Sequence, residues 1–338
     1  MRFRSQVTIT TPPIDENEGL VIRYGDFNFK SIRFSNGYYC DKTSYIQKLE
    51  KEGSRSFLFL RPRRFGKSLF LDTLNCFHNE LFKNDYDKLF EGLEISKISD
   101  AKPNTYMVLN LSFISLDVSH GYDNFRENLI NCINDAIITL KRLCVHYKNI
   151  ENMSINILDP INTFRSLYTY AMVENKKLFI WIDEYDIQLQ QVLLQGEESD
   201  LFKKLQNKEE MTLFRAFFSE IQQALHSYEN IKVFITGVTP LVLNVFTSGF
   251  NVVQNITHDS DYSSLCGIPK ESIKDILKKV KYSGDKEELL KLILENYDGY
   301  LFDPDAKEQM VNPTLFLYLL DRIQNENKIP SAQSLKKH

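Results

Sequence analysis

The chain has 338 residues, 43% of them hydrophobic and 25% charged, with 41 basic against 45 acidic side chains and a formal net charge of −4. That length allows about two domains at roughly 150 residues each, and the composition excludes a fibrous or largely disordered chain. The near balance of charge excludes a global field drawing the protein to nucleic acid or an anionic membrane, so any basic site must be local.

In chain order, four short apolar runs stand out: Ser56 to Leu60, closed by a proline-containing turn, then Tyr106 to Phe113, Lys177 to Ile182, and Ile231 to Thr236. Their apolarity is continuous rather than alternating, the pattern of strands buried on both faces of a parallel sheet. Between them lie helix-patterned stretches too long for hairpins, Ser68 to Lys83, Tyr122 to Val145, Ile161 to Glu174, and Glu209 to Ser227. Strands alternating with helical crossovers predict an α/β fold, a parallel sheet flanked by helices. Asn251 to Thr257 is a candidate fifth strand. Beyond Gly267 the pattern turns helical, over Lys270 to Val280, Asp285 to Tyr297 and Pro313 to Asn325, with no convincing strand. The expected organisation is an N-terminal extension over 1–36, a core over 37–266 and a helical C-terminal subdomain over 267–338, ending in a polar tail.

The five cysteines, at 40, 76, 132, 144 and 266, are odd in number and none is spaced as in a zinc knuckle, so they read as reduced thiols. Met1 to Ile22 carries no apolar run of a secretory signal. No stretch approaches the length of about eighteen uncharged apolar residues that a membrane span needs. An intracellular protein off the membrane, in cytoplasm or nucleus, is expected.

The most informative segment runs from Phe57 through Leu60, Arg61, Pro62, Arg63, Arg64, Phe65, Gly66, Lys67, Ser68, Leu69 and Phe70: a strand, a sharp turn and a helix start. That is the setting of a Walker A phosphate loop. Backbone N–H groups of Arg63 to Leu69 and a helix N-terminus would face phosphate oxygens. Gly66 lets the backbone come close, Lys67 reaches the β- and γ-phosphates, and the Ser68 hydroxyl ligates magnesium. The full pattern wants glycine where Arg61 stands, and arginine is strained there if that position needs positive φ. Between Gly53 and Ser68 the charged side chains are all basic: Arg55, Arg61, Arg63, Arg64 and Lys67.

Leu178 to Asp186 is an apolar strand ending abruptly in acids, the form of a Walker B strand. Asp183 would hold the magnesium and Glu184 would orient or deprotonate the attacking water; a helix cap is the alternative use of such acids. The spacing of the two motifs, with one strand-like run between them, points to the P-loop class with an additional strand and a catalytic glutamate. The fourth run ends in Thr236, Gly237, Val238, Thr239 and Pro240; Thr236, or else Thr239, is the candidate polar sensor of the γ-phosphate.

Together these motifs resemble the AAA-ATPase-like domain family, whose members are often fused to a PD-(D/E)XK nuclease-like domain. The resemblance begins at Gly37 to Thr43, continues through Leu60 to Ser68, where the family also carries arginine for the first glycine, and takes in Asp183 to Asp186 and Phe234 to Val238. It closes on Tyr297, Asp298, Gly299 and Tyr300, followed by Asn312 and Pro313. It implies an ATPase core with a helical C-terminal extension that binds ATP and Mg2+, and a nucleotide contact for Asp41 and Lys42. Arg165 and Arg215 lie in helical stretches where an arginine finger could sit, in cis or toward a neighbouring subunit, although most arginines on helices are merely solvated. No acid-acid-x-lysine strand follows the ATPase, so a fused nuclease is not expected within these residues. ATP hydrolysis driving a conformational change is the leading expectation. A nucleotide-gated or degenerate ATPase that presents a surface to a protein partner, for instance through polar Gln188 to Glu210, is the second. Nucleic-acid handling, through the family association alone, is the third.

Overall fold

The computed structural model describes residues 20–114, 116, 122–186, 190, 212–240, 253–296, 299–306 and 308–328. The apolar runs form strands β1 (Ser56–Leu60), β2 (Tyr106–Ser112), β3 (Lys177–Asp183) and β4 (Ile231–Gly237), with a short β5 (Gln254–Asn255) inside the fifth stretch. They pair in the order β2-β3-β4-β1-β5, every pair parallel. β4 therefore lies between β1 and β3, as the additional-strand P-loop class requires.

Side chains alternate across a strand, so a run that is apolar throughout needs two cores. β1 has both. Leu58 and Leu60 enter one, and Phe57 and Phe59 enter the other. The first core is closed by α5 (Tyr122–Leu143), α6 (Pro160–Val173) and α7 (Thr212–Ser227). Phe125, Leu129, Ile133 and Ile137 recur every fourth residue of α5, so one face of that helix is apolar and turned to the sheet. The second core is closed by α1 (Phe29–Phe34), α2 (Ser44–Lys51), α3 (Lys67–His78) and α4 (Tyr86–Phe90). α3 stops at His78 rather than Lys83. The Asn79 carboxamide accepts the Leu81 N–H and opens a 3-10 turn over Glu80–Asp85.

The C-terminal part is not purely helical, which corrects the sequence expectation. Ile268–Pro269 (β6) pairs antiparallel with Met310–Val311 (β7); strands this short leave no periodic signal. Around them α8 (Ile273–Lys279), α9 (Lys286–Asn296) and α10 (Pro313–Glu326) enclose a third core of Ile273, Ile276, Leu289, Phe316 and Leu320. Leu20 belongs to that core: its N–H donates to Lys279 O and its carbonyl accepts from Gln324 Nε2. Part of the expected N-terminal extension thus packs on the C-terminal helices. Tyr297 and Asp298, the polar stretch 188–210 apart from Gln190, and the tail from 329 lie outside the described residues. No helix of the described residues is long and apolar enough to cross a membrane.

His78, at the end of α3, is buried against Phe77, Tyr106 and Phe179. Burial, with Lys232 and Lys177 nearby, pulls the imidazole down to about 3. Glu50 Oε1 lies 3.6 Å from Nε2 but is held at 2.5 Å by Lys232, so it does not offset the burial and the ring stays neutral. A depressed histidine contributes stability that is present above its unfolded value and is lost as pH falls toward the folded one. Urea unfolding from pH 7 to pH 4 should therefore show stability falling by up to about 1.4 kcal/mol per pH unit from this group. The fall should be shallower by that amount in His78→Phe.

Candidate functional site

Parallel strands all finish at one edge, so the turns that follow β1, β3 and β4 are neighbours. Register makes this specific: Leu60 pairs with Gly237 and Ile182 with Ile235. The next residue of β3, Asp183, therefore stands beside Thr236. Thr236 Oγ1 donates to Asp183 Oδ1 at 2.5 Å, and Ser68 Oγ, on the first turn of α3, donates to Asp183 Oδ2 at 2.6 Å. The predicted Ser68, Asp183 and Thr236 meet in space. Thr239 is turned to other work: its N–H donates to Asp186 Oδ2 and its carbonyl accepts from Tyr185 Oη.

The turn from Arg61 to Gly66 reaches α3 through two left-handed residues, Arg64 at φ 66° and Gly66 at φ 93°. Gly66 is the N-cap of α3, where such a φ is strained for any side chain. Lys67 is buried, and its Nζ donates to Arg61 O at 3.0 Å and Pro62 O at 3.1 Å, spanning its own turn. Burial lowers the Lys67 ammonium from its usual range, and Cys266, Asp183, Glu184 and Asp186 act against that fall.

Arg61 does not have a positive φ, so the strain expected from the missing glycine is absent. Its side chain is 2% exposed. The guanidinium donates to Leu60 O, Thr257 O, Tyr262 O and Ser263 O, and lies 4.4 and 4.2 Å from the ring centres of Phe59 and Phe302. Burial draws it down to about 10, still cationic at neutral pH. A planar five-donor fork suits such a ring of carbonyls between two aromatic faces. The same turn is held by Gly267 N–H to Phe65 O and Thr314 Oγ1 to Arg64 O. Phe65 is buried edge-on against Tyr300 and Phe302.

Glu184 follows β3 at φ 50°, a rare conformation for a non-glycine residue. Backbone strain of this kind costs about 1–3 kcal/mol and persists where the surroundings over-determine it. The surroundings do so. Asp186, fully buried, accepts the Val238 and Thr239 N–H groups, and Tyr185 N–H donates to Thr236 O. A Cβ at Gly237 would fall 2.5 Å from the Tyr185 ring, so only glycine lets these two turns meet. Glu184 Oε2 is buried with no hydrogen-bond partner. Burial, then the charge of Asp183, raises the Glu184 carboxyl above its usual range against the pull of Lys67 and Arg63.

Beside Gly66 lies a mostly apolar cavity of about 80 Å³, lined among others by Tyr38, Lys42, Leu69, Cys266, Pro313 and Leu317. Lys42 Nζ donates there to Ser264 O. Asp41 is not among the lining residues: its carboxylate accepts from Thr43 N–H, Thr43 Oγ1 and Glu94 N–H, fixing a turn. Sequence reasoning noted Asn312 and Pro313 without giving them a place. Asn312 caps α10 through the Thr314 and Leu315 N–H groups, and Pro313 comes against Gly66. Tyr38, Cys266 and Leu317 were missed, since nothing local marks residues that meet from opposite ends of a chain. Arg165 is committed elsewhere, to both oxygens of Glu220, whose Oε1 also accepts from Tyr168.

Residues 23–247 match the model of the AAA-ATPase-like family, described as predicted AAA-ATPase. Among curated proteins, the "uncharacterized protein in vnfD 5′ region" of Azotobacter chroococcum mcd 1 is 28% identical over 298 residues, covering 87% of this chain and 50% of that protein. The chain thus spans about half the length of that relative. Among solved structures, Cdc6p from Pyrobaculum aerophilum aligns over 96% of this chain and 66% of its own, with 15% identity and a TM-score of 0.39.

Removing the Arg61 guanidinium leaves buried carbonyls without donors, each costing about 1–3 kcal/mol. Arg61→Ala should lower unfolding stability by about 3 kcal/mol or more in urea titration. Arg61→Lys should recover little of it, because an ammonium cannot serve the same carbonyls. Full recovery by lysine would show that charge alone, rather than the fork, holds the turn.

Proposed function

This chain belongs to the AAA-ATPase-like family, and on that premise we propose that it binds ATP with Mg2+ and hydrolyses it to ADP and phosphate. The observation that carries the proposal is the meeting of the Ser68 and Thr236 hydroxyls on the Asp183 carboxylate, with an unpartnered Glu184 oxygen beside Lys67. The donor set fits magnesium: a hydroxyl and a carboxylate from one helix start and one strand end are what this cation takes from a protein when it also binds phosphate. Ser68 and Asp183 would hold it, and when bound it neutralises charge on the transferred phosphoryl group.

The chain's own residues then divide the work. Backbone N–H groups from Arg63 to Leu69, at the N-terminus of α3, receive phosphate oxygens. Lys67 Nζ exchanges the Arg61 and Pro62 carbonyls for phosphate oxygens. Thr236, freed from Asp183, reports on the γ-phosphate. Glu184 accepts a hydrogen bond from the attacking water and draws its proton, for which its raised proton affinity suits it. The cavity by Gly66 receives the adenine face, with Tyr38, Leu69, Pro313 and Leu317 as walls and Lys42 at the rim. Because Gly267, Tyr300, Phe302, Pro313 and Thr314 touch the same turn, phosphate binding bears directly on the C-terminal part, and motion of 267–338 against 37–266 is the proposed output. The five cysteines are free thiols, in keeping with a reducing intracellular setting.

A second reading, a nucleotide-gated switch without turnover, is favoured by one feature: Lys67 is already bonded within its own turn. Thermal unfolding and phosphate release separate the two. Saturating Mg-ATP should raise the unfolding temperature by several degrees, since a ligand at about 1,000 times its Kd stabilises by about 4 kcal/mol. The rise should vanish in Lys67→Ala. Glu184→Gln should keep the shift and lose about 100-fold or more in phosphate release. A shift with no release in the wild type selects the switch; no shift in the wild type removes both readings.

The raised proton affinity of Glu184 also fixes the pH response. The ionised form accepts the water's proton, so turnover should fall on the acid side, with a midpoint above the ordinary carboxylate range. A kcat profile from pH 5 to pH 8 in which that limb is missing would remove Glu184 as the base.

A further inference from the structure

A second cavity stands apart from the phosphate turn. It measures about 480 Å³, within the range of about 300–1,000 Å³ typical of ligand pockets. One wall is the edge of β2, with Val108, Asn110 and Ser112; the other is a face of α5, with Asn128, Asn131, Cys132, Asp135 and Thr139 at helical spacing. We propose that the open edge of β2 and this face of α5 form a docking groove for an extended peptide segment that carries a basic side chain and adds to the sheet beside β2.

The strand's own hydrogen bonding supports this. Among the described residues β2 is the end strand of the sheet, paired with β3 on one side. Phe113 N–H donates to Asp183 O, while Ser112 is the residue in register with Asp183. In a parallel ladder successive residues turn their N–H and C=O groups to opposite sides, so those of Val108, Asn110 and Ser112 point outward. These three are the β2 residues that line the groove. Among the described residues, the outward edge is met at its start by a single bridge from Asn79 to Tyr106, and Ser112 O receives a long thiol contact from Cys132 at 3.4 Å. Edge strands usually carry a charge, a proline or a bulge that discourages pairing. Val108, Asn110 and Ser112 supply neither charge nor proline.

The chemistry of the occupant follows from the lining. Adding a strand uses main-chain hydrogen bonds for affinity and alternate side chains for selection. The amides of Asn110, Asn128 and Asn131 and the hydroxyls of Ser112 and Thr139 are uncharged. Among the described residues Asp135 is the one formal charge lining the groove, exposed at its α5 wall, and it selects a lysine or arginine. Nothing in this proposal depends on nucleotide chemistry.

The test uses a fluorescein-labelled peptide of about seven residues, alternating threonine and valine with a central lysine, and a copy with glutamate at the centre, read by anisotropy on the full chain. The lysine peptide should bind at least about tenfold more tightly than the glutamate peptide, a difference of about 1.4 kcal/mol. Asp135→Lys should reverse that preference. Asn110→Pro removes an outward N–H without touching the bonds to β3 and should weaken binding tenfold or more, whereas Asn110→Ala, which keeps the N–H and loses only the lining amide, should weaken it by clearly less. Amide exchange of residues 106–112 should slow when the lysine peptide is present. Absence of binding by the lysine peptide, or equal binding by Asn110→Pro in a variant whose circular dichroism matches the wild type, would overturn the proposal.

Discussion

The constraint on which the rest depends is the insertion of β4 between β1 and β3 in parallel register. Pairing Leu60 with Gly237 and Ile182 with Ile235 leaves three turns side by side at one edge of the sheet. Residues at 68, 183 and 236 then have no choice but to meet. A one-residue slip of β4 would turn its side chains to the opposite face and place Gly237 or Ile235 against Asp183. Two apolar cores guard against that slip, because Val233 and Ile235 fill one and Phe234 the other.

The second determinant is how the phosphate turn keeps its shape without a leading glycine. The usual device is backbone freedom at that position. Here the turn is held from outside, by a buried guanidinium shared among four carbonyls and two rings, and left-handed φ values fall at Arg64 and Gly66. A buried cation needs such partners, since desolvation costs several kcal/mol; both terminal nitrogens of Arg61 have them, while Nε is buried without one. One consequence is that the turn depends on residues 257–263 and 300–314, far along the chain. The phosphate turn and the C-terminal part therefore share one set of contacts, and a change in either is felt by the other.

The turn after β3 is built with the same economy. Asp186 and Tyr185 bind it to the turn after β4, Gly237 gives way sterically, and Glu184 is left at a positive φ with one carboxylate oxygen unpartnered. Local strain and an unsatisfied buried acceptor are both unfavourable for stability. Their presence at one residue, next to a magnesium-type donor pair, is the pattern of a site shaped for something other than stability.

The amino-acid sequence alone determined the positions of β1 to β4, because continuous apolar runs too short for a helix and rich in aromatic and β-branched residues suit buried strands, and it determined Lys67, Ser68, Asp183 and Thr236 as candidates, because each sits where a strand ends or a helix begins. It could not determine what lies beside them. Arg61 looked like a strained substitution until the fold supplied Thr257, Tyr262, Ser263 and Phe302 around it. Asp41 and Lys42 looked like a pair, yet tertiary packing ties the first to the Glu94 turn and sends the second to the cavity. β6 and β7 left no period to read, and Pro313 acquired its place against Gly66 only when α10 folded back. The division has a physical reason: periodicity and capping act over a few residues, whereas these contacts join segments as much as 250 residues apart, and only the packed chain brings them within bonding distance.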